Sequence, residues 1–394
     1  MKGYRRKIYL ILIFLYFVLK PFYLLGGTFQ LADLVLTLLL LMLFFSNDFV
    51  FYKVHLHFLF FGMLFISYVF FINGIWAMIL ADFSYLLNTV FYIFNFSVCM
   101  MLVCLYQRFE SRMLQVIYYS VVTSILIQFL ISIIMNSGSY RETLFFNNPN
   151  QLGYYGLLSL AILLVLSGTI KVKKIWFYLS IIGCLILAVI SLSKAAIVCS
   201  VLLITSFFLL SGKNVNIQSI PSIIFFLVLI VSSLFIVIPN DSTMFKDVPI
   251  ISNAQDRVSK IGNDSDDSLS GRGYDRIWNH PEYLVLGAGE GKEDRFISQI
   301  SGSEMHSTLV TILFSYGIVG FSLLIIWILY TVQVQRLSQI LPLLIVFVYG
   351  LSHNGIRQTF LWILITIIFI NKFEITRSGK KRNLLKENPS HTKE

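Results

Sequence analysis

Long apolar runs separated by short polar segments dominate the chain. A helix needs about 20 apolar residues to cross the hydrocarbon core of a bilayer, and most of these runs approach that length. Their polar flanks predict twelve spans, at 8–25, 29–46, 56–72, 83–106, 113–135, 150–170, 175–190, 195–211, 219–238, 306–330, 339–352 and 359–371. The pattern therefore predicts an all-α polytopic membrane protein. Residues 73–82 are too short to cross alone, and we expect a re-entrant or interfacial piece there.

One polar segment, residues 239–305, is far longer than the connections that a helix bundle requires. It holds twelve acidic and seven basic residues. A loop of this length between spans is usually functional. The chain accordingly divides into nine N-terminal spans (1–238), this large loop, three C-terminal spans (306–371) and a basic tail (372–394).

Composition agrees with a membrane protein. Apolar residues make up 57% of the chain and charged residues 13%, with a mean hydropathy of +0.79, whereas about a quarter of the residues of soluble domains are charged. The net charge of +10 comes largely from the flanks of spans, at 2–7, 171–174 and 372–382. Because cytoplasmic loops are rich in Lys and Arg, we expect both termini in the cytoplasm, the large loop outside, and no nucleic-acid partner.

Two further features bound the possibilities. The first apolar run, 8–25, is longer than the apolar region of a signal peptide and has no A-x-A-like site behind it, so we expect a retained span. The four cysteines lie within apolar runs and offer neither a disulfide framework nor metal-site spacing. We expect them to be core residues (Cys99, Cys104, Cys184 and Cys199).

Four cations lie on the side where Lys and Arg are disfavoured. Arg141, Lys194 and Arg357 each occupy a predicted outer loop, and Arg272 lies in the large loop. A single cation of this kind can snorkel to lipid phosphates. Four together favour an anionic substrate at the outer membrane face, since guanidinium groups bind diphosphates through two parallel hydrogen bonds.

His306 is the candidate general base. A lone histidine beside a helix start is more often a capping or packing residue. The predicted position in the first turn of the tenth span, however, disfavours the imidazolium and leaves a neutral ring that can accept a proton. Glu304 is a candidate group to orient that ring, and His353, which shares a loop with Arg357, is the second candidate base.

Two motifs are set aside. The glycine-rich segment 287–292 lacks the Ser or Thr that follows Lys in a P-loop, and a turn is the simpler interpretation. The acidic run of Asp264, Asp266 and Asp267 resembles a metal-binding pair, but its polar, flexible surroundings do not favour a metal. We expect neither a metal nor a cofactor.

Several short motifs together resemble the O-antigen ligase and polymerase superfamily. They are Asn148-Pro149-Asn150-Gln151-Leu152-Gly153, Ser191-Leu192-Ser193-Lys194-Ala195, Gly271-Arg272 followed by Ile277-Trp278 and Gly287-Ala288-Gly289, and His306 leading into Tyr316-Gly317-Ile318-Val319-Gly320. Their order and spacing match over about 150–320. The first five spans resemble the family only in hydropathy.

The resemblance implies a metal-independent glycosyltransferase of the GT-C type in the bacterial inner membrane. Such an enzyme acts at the outer face on glycans linked to undecaprenyl diphosphate. Its catalytic arginine and histidine correspond to Arg272 and His306. Lys194 stands where ligases usually have Arg, which keeps the charge but loses the bidentate fork. Ser307 stands where Asn commonly follows the histidine.

Our hypothesis is a polymerase of lipid-linked repeat units, making capsule, exopolysaccharide or O-antigen chains. Undecaprenyl-diphosphate-linked oligosaccharide is then both donor and acceptor, the lipid bilayer is the environment, and a chain-length regulator and a flippase are candidate partners. A ligase that transfers the glycan to lipid A core or to a protein uses the same chemistry. A flippase or other transporter is the alternative of a different class, although it should bury its charges near the bilayer midplane.

Overall fold

A computed structural model of the chain describes residues 2–25, 29–46, 49–135, 140–211, 268–300, 302–333 and 335–387. Within these ranges the fold has twelve α-helices and no β-strand. The helices are α1 (Lys2–Leu19), α2 (Leu31–Phe45), α3 (Lys53–Ile79), α4 (Ser84–Phe109), α5 (Ser111–Ile134), α6 (Pro149–Ser167), α7 (Lys174–Ile190), α8 (Lys194–Ser211), α9 (Asp275–Asn279), α10 (Thr308–Val332), α11 (Leu337–Tyr349) and α12 (Thr359–Glu387).

Five of the helices are long and apolar enough to cross a membrane, namely α3, α4, α5, α6 and α10. Five shorter apolar helices pack with them, in α1, α2, α7, α8 and α11. The described chain is thus an all-helical protein of membrane-embedded character. The predicted ninth span (219–238) and the first part of the large loop (239–267) lie outside the described residues.

The bundle is organised around α6 and α12. Helix α6 packs against α5, α7, α8, α11 and α12, and its side chains from Leu152 to Leu166 are all buried. Helix α12 packs against α4, α6, α10 and α11, with a buried apolar run from Phe360 to Ile370. One large hydrophobic cluster joins the helices, and a smaller one, formed by Ala288, Phe296, Met305, Val310 and Phe314, lies beneath the large loop.

The prediction for residues 73–82 was wrong. Helix α3 continues without interruption to Ile79, so the segment extends the third helix rather than forming a separate piece. The polar residue Asn73 at the start of this segment is buried, and its amide donates to Thr89 Oγ1 at 2.9 Å and to Tyr316 Oη at 3.2 Å. A satisfied polar side chain does not end a helix in a protein core.

The opposite error concerns the tenth predicted span. Helix α10 is discontinuous, because Gly317 within it has φ 62° and ψ −174°. The freed backbone groups are satisfied by the large loop: Ala288 N–H donates to Phe314 O at 3.0 Å, Gly289 N–H to Ser315 O at 2.8 Å, and Ile318 N–H to Leu284 O at 2.8 Å. A broken helix is tolerated at membrane depth where other protein segments satisfy its backbone in this way.

The helices place the predicted site residues at one end of the bundle, which we call the site end. It holds the C-terminus of α1, the N-termini of α6, α8 and α10, and the loop between α11 and α12. Contacts across it include Tyr349 Oη to Asn150 O at 3.2 Å and Thr308 Oγ1 to His353 O at 2.9 Å. The first predicted span extends to residue 25, but α1 ends earlier, at Leu19.

Candidate functional site

A pocket of about 140 Å³ at the site end brings together most of the predicted site residues. We call it the cationic pocket. Its lining residues are Arg141, Asn150, Ser193, Lys194, Ala195, Arg272, His306, Tyr349, Ser352 and His353. These come from five separate stretches of sequence. Three of the side chains are permanent cations, and no carboxylate occurs among the described residues that line the pocket.

Arg141 and Lys194 are held by the ends of α6, α7 and α8. The guanidinium of Arg141 donates from Nε to Ser191 O at 3.0 Å and from Nη2 to Asn150 Oδ1 at 2.8 Å. Lys194 is the first residue of α8. A cation is electrostatically unfavourable at a helix N-terminus, where the backbone already carries partial positive charge. Its presence there adds to the attraction that this wall of the pocket exerts on an anion.

Arg272 and His306 are coupled through the backbone. Arg272 ends a short 3₁₀ turn, Ser270–Arg272, and its Nη1 donates to Ser352 O at 2.8 Å. The backbone N–H of His306 donates to Arg272 O at 3.0 Å, so the two predicted catalytic residues are held side by side. His306 is exposed at the pocket, which leaves its ring accessible to a ligand.

His306 does not lie in the first turn of a helix, as the sequence suggested. Helix α10 begins at Thr308 and Ser307 is its N-cap, accepting from Val310 N–H at 3.4 Å. His306 therefore precedes the cap, where the helix dipole acts on it more weakly. The residue after the histidine has a defined role here, because Ser307 Oγ also donates to Gly350 O at 3.2 Å and ties α10 to the end of α11.

His353 lies deeper in the pocket wall, beside the rings of Tyr154 and Tyr349. Burial, together with a smaller contribution from the neighbouring His306, lowers the pKa of His353 to about 4. The ring is therefore neutral near pH 7, but a group with so low a pKa is a weak base.

Arg357 and Glu304 do not take the predicted places. Arg357 lines a different cavity, and its guanidinium is ion-paired with two carboxylates: Nη2 lies 2.8 Å from Glu290 Oε1 and 2.8 Å from Glu304 Oε1. Burial alone would lower the pKa of Arg357, but these two carboxylates raise it overall. Glu304 is engaged with Arg357, and in the described part of the chain no hydrogen bond joins it to the His306 ring.

Glu290 is the residue that the sequence interpretation missed. It is 2% exposed, and its Oε2 accepts from Tyr92 Oη at 2.8 Å and from Tyr316 Oη at 2.9 Å, while its backbone N–H donates to Asn73 Oδ1 at 2.9 Å. The glycine-rich segment that we set aside as a turn carries this carboxylate into the bundle. The signal available in the sequence was a single acidic residue between two glycines. An acidic side chain that becomes buried needs specific partners.

Aromatic and cationic contacts hold the same segment in place. Trp76 Nε1 donates to Gly287 O at 3.0 Å, and Tyr68 Oη donates to Leu286 O at 2.9 Å. The guanidinium carbon of Arg295 lies 4.5 Å from the centre of the Trp76 ring. Segment 284–291 is thus a fixed part of the bundle rather than a surface turn.

A second cavity, of about 330 Å³, lies beside the cationic pocket and is called here the carboxamide cavity. Five side-chain amides line it, together with the ion pairs of Lys20 and Arg357 and an apolar wall. The lining residues are Lys20, Tyr23, Phe29, Asp33, Val90, Phe91, Phe94, Asn95, Asn147, Gln151, Glu304, Asn354, Arg357, Gln358 and Thr359. Lys20 Nζ lies 2.9 Å from Asp33 Oδ1, and both are buried. A lysine inside the first predicted span was the missed signal for this pair.

In the described part of the chain, no three His, Cys, Asp or Glu side chains are grouped to hold a metal ion. The acidic run of Asp264, Asp266 and Asp267 lies outside those residues. No protein-family model matches the chain. A search of curated proteins likewise found no match. The inference of function therefore depends on the site itself.

Proposed function

We propose that the chain is a membrane glycosyltransferase that polymerises oligosaccharide repeat units linked to undecaprenyl diphosphate. The observation that carries the proposal is the convergence of Arg141, Lys194, Arg272 and His306 on one pocket at the helix ends. The resemblance of the sequence motifs to the O-antigen ligase and polymerase superfamily supports the same assignment, including a GT-C-like fold with about twelve spans.

The cationic pocket suits a diphosphate. Three permanently charged cations line it together, and clustered positive charge attracts an anion. Its volume of about 140 Å³ is smaller than the roughly 300–1,000 Å³ of pockets that enclose larger ligands. A small group such as a diphosphate is therefore the better match. Arg141 and Arg272 are already oriented by hydrogen bonds to backbone carbonyls, so they need little reorganisation to stabilise developing negative charge.

In the proposed reaction a sugar hydroxyl of one lipid-linked repeat unit attacks the anomeric carbon of the other glycan. The new carbon–oxygen bond forms as the bond between that carbon and the diphosphate oxygen breaks. His306 takes the hydroxyl proton, and Arg272, Lys194 and Arg141 stabilise the departing undecaprenyl diphosphate. His306 is a better candidate base than His353, whose pKa of about 4 makes it a weak proton acceptor at neutral pH.

Arg357 has a different role in this proposal. Its charge is balanced by Glu290 and Glu304, so it contributes little net attraction for a diphosphate. We assign it instead to the positioning of the segment that leads from Glu304 into His306. This replaces the expectation that Arg357 contacts the diphosphate.

The expected cellular arrangement follows from the basic flanks. The proposal puts both termini in the cytoplasm and the site end at the outer face of the bacterial cytoplasmic membrane, where lipid-linked repeat units are polymerised. A chain-length regulator and a flippase remain candidate partners.

A transporter is the competing proposal, because α10 is a broken helix and broken helices form substrate sites in transporters. The backbone groups at this break, however, are bonded to segment 284–289 of the same chain rather than open to a substrate. A ligase differs from the polymerase only in its acceptor and uses the same residues.

The test is turnover in reconstituted vesicles supplied with purified lipid-linked repeat units. General-base assistance contributes about 10²–10⁴-fold, so His306→Ala and His306→Gln should both nearly abolish polymer, while binding of the lipid-linked substrate persists. His57→Ala is the matched control, since His57 is an exposed histidine near the start of α3, away from the site end. A chelator should leave the wild-type protein active.

Three results would contradict the proposal. Full activity of His306→Gln would reduce His306 to a positioning residue. Loss of turnover with chelator would return the acidic run at 264–267 to consideration. Movement of the lipid-linked repeat across the bilayer without bond formation would identify a transporter.

A further inference from the structure

The carboxamide cavity differs from the cationic pocket in charge. Its lining includes two cations and two carboxylates that neutralise each other, in the pairs Lys20–Asp33 and Arg357–Glu304, and Glu290 adds a further carboxylate behind Arg357. Such a cavity offers little attraction to a diphosphate. A second diphosphate group is therefore a poor candidate occupant.

The uncharged groups of the cavity match a saccharide. Five carboxamides, from Asn95, Asn147, Gln151, Asn354 and Gln358, line it. An amide offers both donors and acceptors, as a sugar hydroxyl does, so the two pair without any net charge. Phe29, Phe91 and Phe94 also line the cavity and provide an apolar surface for the carbon face of a sugar ring. The volume of about 330 Å³ is within the range of small-ligand sites.

Two of these amides are incompletely satisfied. Among the residues that the structure describes, Oδ1 of Asn95 and Oε1 of Gln151 are buried and accept no hydrogen bond. A buried acceptor without a donor costs free energy. After rotation of the amide group, a hydroxyl donated by a ligand in the cavity would remove that cost.

Residues that are adjacent along the chain line the two cavities. Asn150 lines the cationic pocket, and the next residue, Gln151, lines the carboxamide cavity. In the same way His353 lines the cationic pocket and Asn354 lines the carboxamide cavity. Glu304 belongs to the carboxamide cavity and His306, two residues later, to the cationic pocket. The two cavities are thus neighbours at the site end, and His306 lies two residues from the Glu304 of the carboxamide cavity.

We infer that the carboxamide cavity is the subsite for the acceptor glycan, an uncharged saccharide whose hydroxyl is presented to His306. The inference rests on the proposed function and adds the substrate class and the place of the acceptor. The donor diphosphate occupies the cationic pocket, and Arg357, balanced by its carboxylates, holds the wall between the two.

The test measures binding of two probes to purified full-length protein. One is the repeat-unit oligosaccharide, released by mild acid from the lipid-linked repeat that accumulates in cells lacking this chain. The other is inorganic pyrophosphate. Val90→Trp narrows the cavity from a position that is 56% exposed, and Leu87→Trp, at a 60% exposed position one turn earlier on α4 and outside the lining, is its matched control. Gln151→Leu removes an amide at similar volume.

We expect Val90→Trp and Gln151→Leu to weaken oligosaccharide binding at least ten-fold, with pyrophosphate affinity unchanged within two-fold. Lys194→Ala should weaken pyrophosphate binding and leave oligosaccharide binding unchanged. Leu87→Trp should change neither affinity. Retained pyrophosphate binding also shows that each cavity variant is folded.

The inference is overturned if the oligosaccharide does not bind, if pyrophosphate displaces it, or if neither cavity variant weakens it while the wild type still forms polymer. Failure of the proposed function looks different: the wild type then forms no polymer and binds no pyrophosphate, a result that requires none of the cavity variants.

Discussion

Glu290 offers the sharpest test of how the site end is held together. Its carboxylate has four contacts: hydrogen bonds from Arg357 Nε at 2.8 Å, Tyr92 at 2.8 Å and Tyr316 at 2.9 Å, and an ion pair with Arg357 Nη2 at 2.8 Å. Glu290→Ala removes all four and leaves Arg357 with Glu304 alone.

The magnitude follows from burial. Removing one partner of a buried ion pair costs about 3–5 kcal/mol, and the surviving contact with Glu304 favours the lower end of that range. Glu304 is the matched control, because it binds the same guanidinium at the same distance but its side chain is 54% exposed. Exposed pairs contribute about 0–1 kcal/mol. We therefore expect a loss of about 3 kcal/mol for Glu290→Ala and under about 1 kcal/mol for Glu304→Ala.

The assay is equilibrium unfolding of each purified variant in mixed detergent micelles. The double variant should lose more than the sum of the single losses, because Arg357 then has neither carboxylate. Equal losses for the two single variants, or a loss below about 1 kcal/mol for Glu290→Ala, would refute the view that the buried carboxylate anchors this network.

Three further predictions concern charge, backbone and pH. Lys194→Arg should retain polymer formation in reconstituted vesicles, whereas Lys194→Ala and Arg272→Ala should each lower the rate by about 10²–10³-fold. Normal rates in both Ala variants would favour the interpretation that these cations only snorkel to lipid phosphates. Gly317→Ala should strongly reduce the yield of folded protein, because φ is 62° and a Cβ there would lie 2.2 Å from Val285 O. The control Gly74→Ala should be neutral or slightly stabilising, because a Cβ at Gly74 meets no atom within 4 Å. Similar yields of the two variants would show that the break in α10 is not required. His353 has a pKa of about 4 in the folded protein, below its value in the unfolded chain, so the unfolded state binds more protons between these two values. The free energy of unfolding should therefore fall as the pH drops from about 6.5 towards 4. Unfolding curves of His353→Gln should show a smaller fall in this free energy, and an identical fall would exclude His353 as the cause.

Most of the helices could be predicted from the sequence, because an apolar run with polar flanks has few alternatives in a membrane. The predicted span 113–135 corresponds to Ser111–Ile134, and 175–190 to Lys174–Ile190. Errors occurred where a polar or glycine residue has a distant partner. Helix α3 continues through Asn73 to Ile79, beyond the predicted end at residue 72, whereas Gly317 interrupts a helix that was predicted as one span.

The candidate site divides in the same way. Arg141, Lys194, Arg272 and His306 were accessible from sequence, since cations at outer loops are unusual and their segments carry family motifs. The partners of Glu290 were not accessible from sequence, because Tyr92 and Arg357 lie 198 and 67 residues away along the chain. Periodicity and local motifs carry no information about contacts at that separation, and so the pairing of Arg357 with Glu290 was not predicted either.

The docking of segment 284–291 onto α3 and α4 also constrains how the protein is made. Tyr92 is synthesised 198 residues before Glu290, a delay of roughly 10–40 s at ordinary translation rates. During that interval the side chains of Asn73, Trp76 and Tyr92 lack the hydrogen bonds that the later segment provides. The early helices are therefore incomplete until residues 284–291 have been synthesised. The N-terminal helices therefore cannot complete their packing one after another as they are synthesised. A ribosome stalled before residue 284 would leave the polar side chains of α3 and α4 without the partners that segment 284–291 provides.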